Sequence, residues 1–405
     1  MVPQLDLTTA PGARLAAGAR SRLPPFMHYE LTPRAGIPPM AVIPGKYPLA
    51  TARCAMRPAD FRGNLRNMAE PLKGLARCPV VVAPMAGGSS VPGLVIAAAA
   101  AGALGFLAAG YKTAAAMRAE MAAVRAAGVP FGVNVFVPGE PAPDRAALAR
   151  YLAELEPDAA ALGARPGVPD WNDDDWDAKL AALIAAPPAV VSFTFGCPQP
   201  GVLAALRSAG SQVWVTVTAP EEAALAAESG AGALCVQGPE AGAHRGTFSA
   251  AANPPGVPLH QLLRDVAAVT GLPLIAAGAI MGHGDVQGAL AAGAVAVQCG
   301  TAFLRCPESG TNPVHRAALT DPAFTATAVT RAFTGRPARG LVNQFMLDHQ
   351  DAPPAYPEVH CATRPLRAAA TAAGDAGRIN LWAGEGYRAA TSRPAAGVVA
   401  LLAGG

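Results

Sequence analysis

Residues 232–246, GALCVQGPEAGAHRG, run from an apolar segment into a glycine-rich loop that carries Gln237, Glu240 and His244. Glycine has no Cβ and tolerates positive φ, so such a loop lets backbone N–H groups approach a ligand closely. A histidine at the end of the loop could move a proton to or from a bound ring or substrate. An isolated histidine is more often a surface or satisfied core group, so the weight falls on its company.

Other small-residue stretches also follow apolar runs. Ala83, Pro84, Met85, Ala86, Gly87 and Gly88 would bring backbone close to a flat ligand. Asn134 interrupts the apolar GVNVF, and leaving its buried amide unsatisfied would cost about 1 to 3 kcal/mol. Either a ligand or neighbouring backbone must meet that need. Gly278 and Ala279 follow one apolar run, and Gln298, Cys299, Gly300 and Thr301 end another. Paired loops of this kind late in a barrel bind phosphate through backbone N–H groups and a helix N-terminus. A phosphate pocket beside a flat polar ring suggests FMN or another nucleotide. There is no metal-ligand spacing and no GxSxG elbow. Tyr111, Lys112 and Arg245 either attract an anion at the entrance or are solvated surface residues. Cys197 in FGCPQP is the nearest candidate nucleophile, and a structural role weighs more for it.

The loops need a scaffold, and the sequence supplies one. Apolar runs at 79–83, 103–107, 130–136, 189–195, 212–217, 232–236, 273–277 and 294–298 read as strands. Alanine-rich helical stretches such as 113–126 and 219–229 lie between them, with Thr218 expected to cap the second. Strict β-then-α alternation predicts an α/β fold, a (β/α)8 TIM barrel with a smaller substrate subdomain after strand 8. A doubly wound open sheet is the alternative. The long 137–188 link, with its acidic 172–175 stretch, is expected to add a surface helix or two. The domain reading is a disordered leader over 1–68, the barrel over 69–321, the subdomain over 322–366 with Arg331, Arg336 and Arg339, and a C-terminal helix and tail over 367–405. The leader is rich in Pro and Arg, and Met68 is an alternative start.

Composition narrows the class. The chain has 405 residues, 52% apolar and only 15% charged, enough for a large core. A formal net charge of +3 without basic and aromatic clusters gives no support to nucleic-acid binding. The long neutral runs are cut by Pro and Gly, which favours buried parallel strands over a membrane span. The 7 cysteines (Cys54, Cys78, Cys197, Cys235, Cys299, Cys306 and Cys361) form no CxxC pair. Reduced thiols in a cytoplasmic protein are expected.

Together, APMAGG at 83–88, GVNVF at 132–136, QGPEAGAHRG at 237–246, AAGAI at 276–280 and QCGTAF at 298–303 resemble the nitronate monooxygenase family, formerly called 2-nitropropane dioxygenases. The likeness extends through FTGRPARGLVNQF at 333–345 and LWAGEGY at 381–387. It implies an FMN-containing enzyme that oxidises anionic alkyl nitronates with O2 to a carbonyl compound and nitrite. By that resemblance Pro84, Met85, Ala86, Gly87, Asn134, Gln237, Gly242 and Ala243 approach the flavin. Gly278, Ala279, Gln298, Cys299, Gly300 and Thr301 would hold its phosphate, and His244 would be the active-site histidine. FMN supplies the redox chemistry, while the protein orients the substrate and stabilises negative charge. The resemblance leaves two alternatives: an NAD(P)H-dependent reductase of enoyl-acyl carrier protein or quinone on the same scaffold, and a flavin-binding barrel without turnover. Two positions depart from the family pattern, Ala243 for Gly in EAGGH and Ala279 for Gly in AGGI. Positive φ at either would penalise the alanine by roughly 1 kcal/mol and weaken cofactor binding.

Overall fold

Parallel strands β1 (Val80–Val82), β2 (Leu104–Ala108), β3 (Phe131–Phe136), β4 (Val190–Thr194), β5 (Gln212–Val217) and β6 (Ala233–Gln237) pair in order. After β7 (Ala243–His244), β8 (Leu274–Ala277) and β9 (Ala296–Cys299) complete the ring, and β9 pairs with β1. The result is the closed barrel expected from the alternating pattern rather than an open sheet. This computed structural model describes residues 72–404 apart from 143, 254 and 255. The leader over 1–68 and the start at Met68 lie outside the described residues.

Side chains alternate in and out along each strand. Near one end the interior is apolar, filled by Val81, Leu104, Phe106, Val190, Trp214, Ala233, Ile275 and Ala296. Gly132 leaves the space that the Phe106 ring occupies, since a Cβ there would lie 2.2 Å from that ring. One or two inward positions further along, the residues become Asn134, Thr194, Thr216, Cys235, Gln237 and Gln298. The strand ends, where a barrel places its chemistry, are therefore polar.

Helices Pro92–Ala100, Ala114–Ala126, Trp176–Ala185, Pro200–Ala209, Pro220–Ser229, Leu259–Val269 and His283–Ala291 follow the strands. Ala395–Ala403 follows β9 only after a long insertion and packs beside Pro92–Ala100 and β1. The long link after β3 is likewise an insertion. Its helices Arg145–Glu154 and Glu156–Ala161 join Phe333, Phe345, Val359 and Leu366 in a separate apolar cluster, whereas Trp176–Ala185 belongs to the barrel's outer ring. The final helix expected near residue 366 begins earlier, spanning Glu358–Ala372 with Pro365 inside it.

Thr218 does not cap its helix. The cap position is Ala219, and Glu222 in the first turn reaches back to accept the Thr218 N–H at 2.6 Å. Its other oxygen accepts from Phe248 N–H at 2.8 Å and Thr247 Oγ1 at 3.0 Å. That carboxylate ties the segment after His244 to the barrel. Among the described residues, no helix is long and apolar enough to cross a membrane.

Candidate active site

A cavity of about 420 Å³ opens at the C-terminal ends of the strands. Pro84, Met85, Ala86, Gly87, Asn134, Gln237, Gly242, Ala243, His244, Gly278, Ala279, Gln298, Cys299, Gly300 and Thr301, the site residues expected from sequence, all line it.

The loop after β6 is held from several sides. Gln237 donates through Nε2 to the carbonyl of His244 at 2.8 Å and accepts the Gly246 N–H at 2.7 Å. Its amide thus closes the loop upon itself. The antiparallel strands β10 (Thr327–Thr330) and β11 (Ala338–Leu341) continue the hold, because β11 pairs Ala338 with His244 and Arg339 with Ala243. Gly242 is required by packing: a Cβ there would lie 2.5 Å from the Gly384 nitrogen. Arg245 is buried behind the loop, donates to the Gly238 carbonyl and lines no part of this cavity. Lys112 is paired with Glu120 at 2.6 Å. Neither residue presents a free charge to the cavity; of the expected entrance group, only Tyr111 lines it.

Asn134 finds its donors' partners within the protein, in Ser192 O at 3.2 Å, Ser192 Oγ at 2.9 Å and Thr194 Oγ1 at 3.0 Å. Neighbouring groups, not a ligand, satisfy the amide nitrogen. Thr194 in turn lies 3.3 Å from Thr216 Oγ1, so a hydroxyl-and-amide ridge crosses the mouth from β3 to β5. Cys235 accepts from Gln298 Nε2 at 3.2 Å, and burial raises its thiol to about 12, leaving it protonated. Cys197 is also raised by burial and packs between apolar clusters, as its structural reading requires.

His244 is enclosed by the rings of Phe195, Tyr356 and Trp382. Its Nε2 meets Thr334 Oγ1 at 2.9 Å. Burial, then the positive charges of Arg336 and Arg367, push its pKa down to about 3, so the ring is neutral at ordinary pH. Arg336 is itself buried. Its guanidinium lies over Phe195 at 4.1 Å and Tyr356 at 5.4 Å, and donates to Thr247 O at 2.8 Å.

The sequence reading missed the opposite wall. Helix Glu358–Ala372 presents His360, Arg364, Arg367, Ala368 and Thr371 to the cavity, while Asn312, His315, Asn380 and Trp382 come from neighbouring segments. His360, Arg364, Arg367 and Thr371 recur at helical spacing, which was the available signal; Pro365 obscured it by marking a helix break. Arg367 donates to Asn380 Oδ1, Thr363 Oγ1 and His360 Nδ1. Burial comes first in lowering His315 to about 4 and in holding His360 well below its ordinary value. The lining includes two arginines and no Asp or Glu. Such a wall favours an anion.

The loops after β8 and β9 add donors without side-chain charge. The N–H groups of Gly278, Ala279, Ile280 and Gly300 have no protein acceptor among the described residues. The helix starting at His283 is excluded from that cradle, because Asp285 already accepts from Met281 and Gly282. Ala279 and Ala243 both have positive φ, 47° and 64°, so both alanines carry the backbone penalty foreseen for them. Tyr111 and Phe195, also on the cavity wall, share this conformation at 68° and 79°. Strained backbone is concentrated where ligand geometry is set.

A family model described as nitronate monooxygenase matches residues 69–403. The nitronate monooxygenase of Pseudomonas aeruginosa is 41% identical over 340 residues, 80% of this chain and 95% of its own. That of Paraburkholderia phytofirmans is 38% identical over 343 residues, 82% of this chain and 93% of its own. Among solved structures, a nitroalkane oxidase from Streptomyces ansochromogenes shares 49% identity and a TM-score of 0.79, over 82% of this chain and 97% of that one. FabK from Thermotoga maritima, at 23% identity and a TM-score of 0.63 over 83% of this chain and 94% of its own, shares the fold.

Proposed function

Given that the chain belongs to the nitronate monooxygenase family and is thus an oxidoreductase, we propose that it uses FMN and O2 to convert alkyl nitronates to a carbonyl compound and nitrite. The observation that carries this reading is the carboxylate-free cavity, in which a neutral histidine and two arginines face a cradle of unpartnered N–H groups. The residues fit the cofactor: Gly278, Ala279, Ile280 and Gly300 offer donors to its phosphate, and the small residues Pro84, Ala86, Gly87 and 241–243 admit a flat ring. When bound, FMN accepts electrons from the substrate.

The protein's own part is to bind and orient an anion. Arg364 and Arg367 attract it, and the rings around His244 exclude water. A histidine held down to about 3 is a poor base for a neutral nitroalkane, so the substrate enters already ionised and His244 hydrogen-bonds to it. The substrate subdomain assigned to 322–366 also draws on the insertion after β3, whose Tyr151 packs with Phe333 and Val359. The six described cysteines are unpaired, in keeping with a reducing, cytoplasmic setting.

Oxygen uptake by the FMN-replete protein with propionate 3-nitronate, beside an NADH-only control and His244→Ala, tests the assignment. Uptake with nitrite release and no need for NADH is expected, reduced in the variant. Flavin bleaching by NAD(P)H with no nitronate-dependent uptake would transfer the protein to the reductases. A protein that takes up no FMN would be a barrel without this turnover.

A further inference from the structure

A second cavity of about 280 Å³ adjoins the first, and Tyr111, Phe136, His360 and Arg364 line both. Tyr111 and His360 stack face to face, their ring centroids 3.9 Å apart and their planes 4° from parallel. The stacked rings therefore stand as a partition between the two spaces. Beyond it, Val137, Pro138, Tyr356 and Pro357 supply an apolar wall for a chain, while Lys112, Asn172, Asp173, Asp174 and Asp175 line the polar side.

Both rings are held in place. Tyr111 has left-handed backbone, φ 68°, and its N–H donates to Asp174 Oδ1 at 3.0 Å. Asp174 Oδ2 pairs at 2.7 Å with Lys179, whose side chain is fully buried. Asp175 accepts the Ala114 N–H at 3.0 Å, clamping the same loop one turn later. Asp174 and Asp175 also have positive φ, 58° and 57°. Such strain persists only where surrounding contacts over-determine it. On the other side, Arg367 donates to His360 Nδ1 at 3.2 Å. The acidic 172–175 stretch of the long link is thus a clamp on one half of the partition.

We propose that the Tyr111–His360 stack sets the chain length of the nitronate accepted, the second cavity being a subsite for alkyl chain beyond the reacting carbon, and that Asp174 is the positioning residue that keeps Tyr111 in the stack. This rests on the nitronate reading above. With the stack closed, the reaction cavity holds cofactor and a short substrate; removing either ring joins the two spaces and gives a longer chain somewhere to go.

The test is a series of 1-nitroalkanes from nitroethane to nitrooctane, used as nitronates for kcat/KM and as neutral nitroalkanes for Kd by calorimetry with the holoenzyme. Tyr111→Ala should raise the octyl-to-ethyl kcat/KM ratio about tenfold, the order of discrimination that one or two newly accommodated methylene groups bring. Tyr111→Phe keeps the ring and should keep the wild-type ratio. Asp174→Ala should shift the ratio in the same direction as Tyr111→Ala, by less. If Tyr111→Ala does not fold, His360→Ala opens the partition from the other side and decides the matter. An unchanged ratio and unchanged relative Kd values, in a variant that melts with the wild type, would overturn the proposal. If the wild-type protein oxidises no nitronate, the functional reading fails by itself, and the Kd series still decides whether the stack limits chain length.

Discussion

His244 Nε2 lies 2.9 Å from Thr334 Oγ1, and the same oxygen lies 3.3 Å from the Arg336 carbonyl. With the Thr334 hydroxyl donating along the shorter contact, His244 accepts at Nε2 and carries its proton on Nδ1, where it can donate to an anion. One hydroxyl thereby selects the tautomer. Thr334→Val keeps the shape and removes the donor, so kcat/KM for nitronate should fall between about two- and tenfold, the net worth of one hydrogen bond. Wild-type kcat/KM in a normally folded, FMN-loaded variant would show that Thr334 does not orient the ring.

The alanines at 243 and 279 sit where glycine is favoured, at φ 64° and 47°. Ala243→Gly and Ala279→Gly should each relieve roughly 1 to 2 kcal/mol of backbone strain. Part of that is offset by the greater freedom glycine gives the unfolded chain, so a net gain of about 0.5 to 1 kcal/mol is expected. Urea midpoints of the single and double variants measure it, and FMN titration shows whether affinity rises in parallel. Lower midpoints in both variants would mean that the methyl groups contribute packing worth more than the strain.

Much of the scaffold was legible because parallel strands covered on both faces must be apolar nearly throughout, as VVV at 80–82 and LIAA at 274–277 are. Small-residue loops after those strands then marked the near wall. The far wall was hidden for a physical reason. His360, Arg364 and Arg367 face an internal cavity, yet polar residues at helical spacing look the same whether they face a cavity or bulk water. Asn134 and Gln237 were recognisable as unusual residues, but only the fold shows that Ser192, Thr194 and the loop backbone engage their amides.

Histidine burial makes stability depend on pH. His244 and His315 are pushed down to about 3 and about 4, burial being the largest cause for each. Below about 6.5 the unfolded chain binds protons that the folded one refuses, so stability falls as pH falls, by about 1.4 kcal/mol per unit for each such group. The loss continues down to about pH 4 for His315 and pH 3 for His244, and neither contributes above about pH 7.5. Urea midpoints of the wild type and His315→Asn at pH 7.5, 6.0 and 5.0 test this. The variant should lose less between 7.5 and 5.0; equal losses would show that the ring accepts a proton in the folded state.

Gly242 joins the histidine loop to the segment near Trp382. A Cβ at 242 would lie 2.5 Å from Gly384 N and 2.6 Å from the carbonyl carbon of Ala383, both backbone atoms with no side-chain freedom to yield. The neighbouring segment is fixed in turn, since Gly384 N–H donates to Thr301 Oγ1 at 3.0 Å and Glu385 N–H to the Glu240 carbonyl at 3.1 Å. Gly242→Ala must therefore push apart two loops that both line the cavity. Overpacking of this kind costs about 1 to 3 kcal/mol. Because the displaced contacts include Thr301, the variant should lose FMN affinity as well as stability, whereas Gly284→Ala, on an open helical face with no atom within 4 Å of its Cβ, should lose neither. Equal FMN dissociation constants and urea midpoints for Gly242→Ala and wild type would mean that the two loops can separate without consequence for the site.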